Sequence, residues 1–559
     1  MVLFSIIPLV LVVTAIALYI RNSRTTKPPK GQDNAPGPNG ALPIIGHGHL
    51  LGPQPHRQIQ KWAREYGEIY RVRLGWYDWY MLCSPQAVKT VLDQQSAHTS
   101  SRAPMPVASE ALSGGLRFLF MPYGQEWRKL RSISHKLLTP AVSATFMPSQ
   151  EWEAKLMMEE VLDGAETDEL KSKNGDKTMG KAKGGDWGYK AVRRYTVSVI
   201  MTSTYGRRIP EWDCDEVNEI YGIMNDFSTT ATPGKYIADT IPPLGRLLPP
   251  RLQWWRGSLK PLFDRQANLW MSLWGSLKTK METGQAPECF VKQVIESKYE
   301  AQGISEIQAA FLAGSLIEAG SETTSAAINT AILYLSAHPE VRRRAREEID
   351  RVVGPSRSPT YADEKDLPYI RAIVKETMRI RPVTNIGTPH FTTAPITYKN
   401  TYIPAGSVVA IQQYAIHYDE TLFPNPSTFD PSRYLSHPEK SGVYAAGPAE
   451  ARDHWNFGAG RRICSGLHIA ENSMFIVLAK LLWGFDILPV VDEEGRESKV
   501  ELGDEAFEAG GNTVPKVYGC RWVVRGEGVK QVIREEAERA KREGYVLRGV
   551  QVREEGVEL

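Results

Sequence analysis

Apolar residues recur at three- and four-residue intervals over residues 305–335, 340–353, 367–380 and 467–482, which predicts four helices with a buried face. A helical pattern also begins at Arg57. Strict alternation is rarer. RVRLGWYDWYMLC, residues 71–83, reads as a short strand pair, and brief strand-like pieces fall near 396–407 and 517–524. The predicted fold class is mainly α with small β-sheets (α+β), without an internal repeat.

Two stretches depart from that pattern at the N-terminus. The first twenty residues, MVLFSIIPLVLVVTAIALYI, carry no charge, and as a helix rising about 1.5 Å per residue they would cross a bilayer. They are read as a transmembrane anchor, residues 1–20. The rival is a cleaved signal peptide, favoured by Ala15-Ile16-Ala17 but opposed by the missing basic lead and the over-long apolar run. Arg21, Arg24, Lys27 and Lys30 follow, so the positive-inside bias puts the remainder on the cytosolic side. Residues 21–45 form a basic, proline-rich hinge too stiff to continue a helix, residues 46–525 a globular domain, and residues 526–559 a charged C-terminal extension. Within that extension VKQVIREEAERAKRE reads as a solvated helix, and the lysine- and glycine-rich segment 170–187 as a mobile surface loop or a partner-docking patch.

Composition narrows the function classes. Lys+Arg 67 against Asp+Glu 64 leaves a formal net charge of +3, too little for an electrostatic case for nucleic-acid binding. Five scattered cysteines make neither a disulfide framework nor a paired metal site, and indicate a reducing compartment. A lone cysteine in such a chain is ordinarily a small buried hydrophobe, so only a specific setting marks one out.

Cys464 has such a setting. It lies in FGAGRRICSG, residues 457–466, directly before an apolar helix, where unpaired backbone N–H groups and the helix dipole favour the thiolate that a metal requires. Gly458, Gly460 and Gly466 allow close approach of a flat ligand, and Arg462 is placed to pair with a carboxylate on it. Phe457, Gly460, Arg462, Cys464 and Gly466 would take this spacing by chance on the order of once in ten thousand such chains. The segment matches every specified position of FxxGxRxCxG and resembles the cytochrome P-450 superfamily of haem-thiolate monooxygenases, a likeness that extends over roughly residues 36–525.

That resemblance implies a cytochrome P-450 fold behind an N-terminal transmembrane helix, with haem b whose iron is axially ligated by Cys464. Glu376 and Arg379 in KETMR match the ExxR element, and with Arg433 in FDPSRY they correspond to a structural lock beneath the haem. Trp127 and Arg131, one helical turn apart in WRKLR, and His390 in TPH are similar to the family's propionate partners, alongside Phe457 and Arg462 in the cysteine segment. AGSETT, residues 319–324, resembles the oxygen-activation element, in which a threonine disrupts the helix ladder; Thr323 and Glu322 would then deliver the protons that dioxygen reduction consumes. The family often has Asp in place of Glu322.

Alignment with the family assigns the roof of the substrate pocket to residues 101–120, 227–244 and 383–388. The first of these is apolar enough to favour a bulky lipophilic substrate, or else to be packed core. The overall style resembles fungal microsomal members that decorate secondary metabolites. It implies an endoplasmic reticulum membrane protein, single-pass, with its catalytic domain in the cytosol, served by an NADPH-dependent flavoprotein reductase, since no GxGxxG follows a predicted strand here. Two rivals remain: a haem-thiolate isomerase or dehydratase, against which the Glu322-Thr323 pair argues, and a non-catalytic haem-binding protein.

Overall fold

The computed structural model describes residues 27–173, 185–492, 494–508 and 510–553. The anticipated anchor, residues 1–20, and most of the lysine-rich loop lie outside the described residues. Among the described residues no helix is long and apolar enough to cross a membrane.

The chain folds chiefly into helices: α1 (Pro55–Tyr66), α2 (Gln125–Leu137), α3 (Met147–Lys173), α4 (Trp187–Tyr205), α5 (Asp215–Thr230), α6 (Trp255–Glu282), α7 (Glu306–Ala337), α8 (Pro339–Val352), α9 (Pro368–Ile380), α10 (Leu467–Gly484) and α11 (Glu527–Glu543). All four helices read from apolar spacing are present as α7 to α10. Their starts have local causes. Ser305 and Gln308 form a reciprocal capping box ahead of α7, whereas α8 and α9 begin on Pro339 and Pro368, whose missing N–H costs nothing at a first helical position.

Strands β1 (Ile69–Leu74) and β2 (Tyr77–Leu82) form the anticipated antiparallel hairpin, with Ile69 opposite Leu82. With β3 (His390–Phe391) and β4 (Val408–Ile411) they make a sheet ordered β1-β2-β4-β3, in which β2 and β4 run parallel and His390 pairs with Val409. A small antiparallel pair, residues 396–398 with 401–403, accounts for the other predicted strand signal in that region.

Helix α7 runs through the middle, packed against α4, α6 and α10. The helical stretch of the C-terminal extension is not simply solvated. Val529, Ile533, Ala537 and Ala540 make a buried stripe on α11, and Trp152 Nε1 of α3 donates to the Ala540 carbonyl at 2.7 Å. Arg534 and Lys530 pair with Glu166 of the same helix. The charge-laced sequence concealed a narrow apolar stripe wide enough to dock one face.

Candidate active site

The cysteine segment is a closed turn. Cys464 N–H donates to the Phe457 carbonyl at 2.9 Å, and the chain then enters α10 through Gly466. Gly458 and Gly460 hold φ of +73° and +65°, a region that disfavours side chains. At Gly460 a Cβ would also lie 2.1 Å from the Leu92 carbonyl oxygen, so its crowding comes from protein rather than from a ligand; nothing stands within 4 Å of the corresponding point at Gly458 or Gly466. The Cys464 residue is accessible, yet enough protein surrounds the sulfur that burial pushes the thiol up; the Gly466 N–H and the Arg131 charge pull the other way without cancelling it.

Around this turn and its own Arg462 gather groups from three other segments. Arg131 of α2 donates to the Ile463 carbonyl, next to Cys464, at 2.6 Å. Arg462 donates to the carbonyls of Ser100 and Met121 and lies 4.2 Å over the Trp127 ring. His390 meets the Thr99 carbonyl through Nδ1 at 2.8 Å, and burial together with Arg102 and Arg462 holds its imidazole well below the usual range. Arg102, absent from the sequence expectations, donates to the carbonyls of Leu119, Thr388 and Pro389. Burial pushes the Arg102 guanidinium down to about 9, and burial with the charges of Arg102 and Arg131 pushes Arg462 down to about 8. These cations bond only backbone carbonyls. Among the described residues no carboxylate pairs with any of the three guanidinium groups, and the buried Trp127 Nε1 has no acceptor.

On α7, Ala319 is exposed between buried Ile317 and Ser321, which marks open space beside mid-helix. Thr323 Oγ1 donates to the Ala319 carbonyl at 2.6 Å. The helix nevertheless runs on from Glu306 to Ala337 without a break at Thr323. Glu322 turns to the C-terminal loop, where Asn512 Nδ2 donates to its Oε2 at 2.7 Å. The backbone N–H of neighbouring Thr513 donates to the Val383 carbonyl at 2.6 Å, which fixes the loop at this depth.

Beneath the cysteine turn, Arg379 grips Glu376 with two hydrogen bonds of 2.7 Å, both side chains fully buried, and also donates to the carbonyls of His417 and Pro426. Arg433 stands 3.5 Å from the same carboxylate and Asp430 N–H donates to it at 2.9 Å, so the three residues named from sequence do meet. The apolar loop 101–120 divides. Val107 and Leu112 pack with Trp255 and Leu259 as core, whereas Phe120 meets Phe227 at 5.2 Å and Leu119 remains exposed.

The cytochrome P450 family model matches residues 36–503. The chain belongs to the cytochrome P450 family. It is similar to cytochrome P450 monooxygenase pgmC of Aspergillus terreus, 38% identical with 93% of this chain and 92% of that protein covered. It also resembles cytochrome P450 monooxygenase verL of Clonostachys rogersoniana at 35% identity (97% and 95% covered) and monooxygenase 231 of Postia placenta at 34% (95% of each). As a P450, the protein is a monooxygenase of a family whose cofactor is haem held by a cysteine thiolate.

The residues present fit that group. Three guanidiniums without a carboxylate, Arg102 buried and Arg131 and Arg462 half-buried, are costly by themselves and suited to two carboxylates brought by a ligand, and haem b carries two propionates. The orphaned Trp127 N–H supplies a further donor at the same place. Arg102 and Asn512 escaped notice in the sequence for different reasons. An arginine heading an apolar loop was a usable signal for the first; the GGNT context of the second carries none.

Proposed function

We propose that this P450 binds haem b through Cys464 and inserts one oxygen atom from O2 into a lipophilic small molecule in fungal secondary metabolism. The observation that carries the cofactor assignment is the acid-free cationic group of Arg102, Arg131 and Arg462 together with His390, one of whose members bonds the residue next to Cys464. When bound, haem would supply the oxygen activation, and Cys464 would hold it as an electron-rich thiolate. Trp127, Arg131, His390 and Arg462 hold its carboxylates, and Phe457 closes the turn that aims the sulfur. Thr323 and Glu322 hold and pass protons on the α7 side, where Asn512 fixes one Glu322 oxygen. Phe120, Phe227 and Leu119 give the substrate an apolar surface to cover.

Electrons come, in this reading, from NADPH through a flavoprotein reductase. Residues 1–20 anchor the enzyme in the endoplasmic reticulum membrane as a single pass, with the catalytic domain in the cytosol. An exposed apolar patch supports a membrane-facing side: Ile237, Leu247, Leu252 and Trp254 are exposed, and so are Leu42 and Ile45. The β1–β2 turn joins the two groups, since Gly75 N–H donates to the Ile45 carbonyl and Trp76 N–H to that of Thr240. The fungal sources of the relatives, at 34 to 38% identity, support the metabolic setting.

The test uses full-length protein in microsomes. Reduced with dithionite and exposed to CO, it should show the red-shifted Soret band of thiolate ligation, and Cys464→Ala should abolish it. Retention of that band in the variant would overturn the ligand. With reductase and a panel of lipophilic fungal metabolites, product should depend on NADPH; turnover without NADPH would point to an isomerase, and haem binding without any turnover to a carrier.

A further inference from the structure

Apolar residues surround Arg117 in the run GGLRFLFM, yet its side chain is buried. Its Nη1 donates to Glu318 Oε2 of α7 at 2.6 Å, and its guanidinium lies 3.8 Å from the centre of the Phe227 ring. Glu318 Oε1 accepts from Gln266 Nε2 of α6 at 3.1 Å. One carboxylate thus holds two polar side chains. Each has an atom left over: Arg117 Nη2, a donor, and Gln266 Oε1, an acceptor, are both buried without a hydrogen-bond partner. Arg117 is 6% and Gln266 3% exposed, so water does not cover them cheaply. A donor and an acceptor are thus left without partners on the two side chains that one carboxylate holds.

Its position suits a substrate group. Glu318 directly precedes Ala319, the exposed residue of mid-α7, and Phe227, on which Arg117 lies, contacts Phe120. Glu318 stands five residues before Thr323, which is roughly 7.5 Å along the helix axis. We infer that Arg117 and Gln266 bind a neutral hydroxyl of the substrate, phenolic or alcoholic, whose oxygen accepts from Arg117 Nη2 and whose O–H donates to Gln266 Oε1. This rests on the monooxygenase reading only for where the substrate lies. A carboxylate fits less well, because Glu318 already balances the Arg117 charge and a second anion would face the Gln266 oxygen without a donor. The substrate class is then a lipophilic skeleton bearing at least one hydroxyl before oxidation, so a reaction that installs or unmasks an oxygen must precede this enzyme.

The test titrates the Soret band of haem-loaded, full-length enzyme with biphenyl, 4-phenylphenol and biphenyl-4-carboxylate. Wild type should bind 4-phenylphenol about tenfold more tightly than biphenyl, the ratio a buried hydrogen bond to a charged group supplies. Gln266→Leu leaves the ion pair in place, and Arg117→Met with Glu318→Leu removes it without stranding a charge; in both the ratio should fall toward one. Should the double variant fail to load haem, Gln266→Leu alone decides. A wild-type ratio near one, no spectral response to either neutral probe, a ratio retained in the variants, or tightest binding of the carboxylate overturns the assignment. NADPH-dependent product from the same preparations, with reductase, separates the two readings. Product with a ratio of one removes the hydroxyl site alone, whereas the full ratio without product removes the monooxygenase reading and leaves the site.

Discussion

Asn512 Nδ2 donates to Glu322 Oε2 at 2.7 Å across 190 residues of sequence, so a loop near the C-terminus holds the acid of the central helix. A charged acceptor makes this bond stronger than a neutral one. Asn512→Asp replaces the donor by a second carboxylate. Product formed per NADPH should fall about tenfold, the equivalent of a lost charge-assisted bond, and Asn512→Ala should lower it less. The measurement is product and NADPH from one reaction with reductase; equal coupling in all three proteins would detach Asn512 from proton delivery.

Thr323 donates to the Ala319 carbonyl, and Ala319 faces open space beside α7. Removing the hydroxyl in Thr323→Ala leaves the helix intact and, in the proposed mechanism, takes away a proton carrier. Haem content and NADPH oxidation should stay near normal while product per NADPH falls and hydrogen peroxide rises, by up to roughly a hundredfold in partition. Unchanged coupling would exclude Thr323 from the mechanism.

His454 predicts acid lability. Its Nδ1 accepts from the Asn456 N–H, its Nε2 faces Ser441 Oγ at 3.1 Å, and Ser441 in turn donates to Asp453 Oδ2 at 2.6 Å. Burial holds the imidazole down to about 4 from an ordinary 6.5, so the folded state keeps it neutral where the unfolded chain is protonated. Stability is therefore complete above pH 6.5 and is lost as pH falls toward 4, by at most about 3 kcal/mol from this group. His417 and His390 shift in the same direction. Melting temperature against pH should drop through this window, and His454→Gln, which cannot titrate, should flatten the slope; identical slopes would show that His454 carries none of it.

Ile533 is buried in the stripe by which α11 docks. Ile533→Ala should cost about 3 kcal/mol, read as a lower midpoint in thermal or denaturant unfolding, whereas a substitution at exposed Glu535 should leave it unchanged. An equal effect at both positions would mean that the extension is not docked in solution.

The sequence by itself determined what depends on neighbouring residues. Periodicity located α7 to α10, alternation the β1–β2 hairpin, and the spacing around Cys464 pointed to the family, because a turn that presents a thiol at a helix start has to be written in consecutive residues. Glu376 and Arg379, three apart on one helix, were legible for the same reason. Only the tertiary structure decided the rest. It carried Arg102 to Arg462 and His390, set Arg117 and Gln266 on the two oxygens of Glu318, brought Asn512 to Glu322, and buried one face of α11 on α3. Each of these joins residues tens to hundreds of positions apart, where no periodicity links them. A lone charged or polar residue in an apolar run reads as noise until folding shows which partner neutralises it, and which of its atoms is left without one.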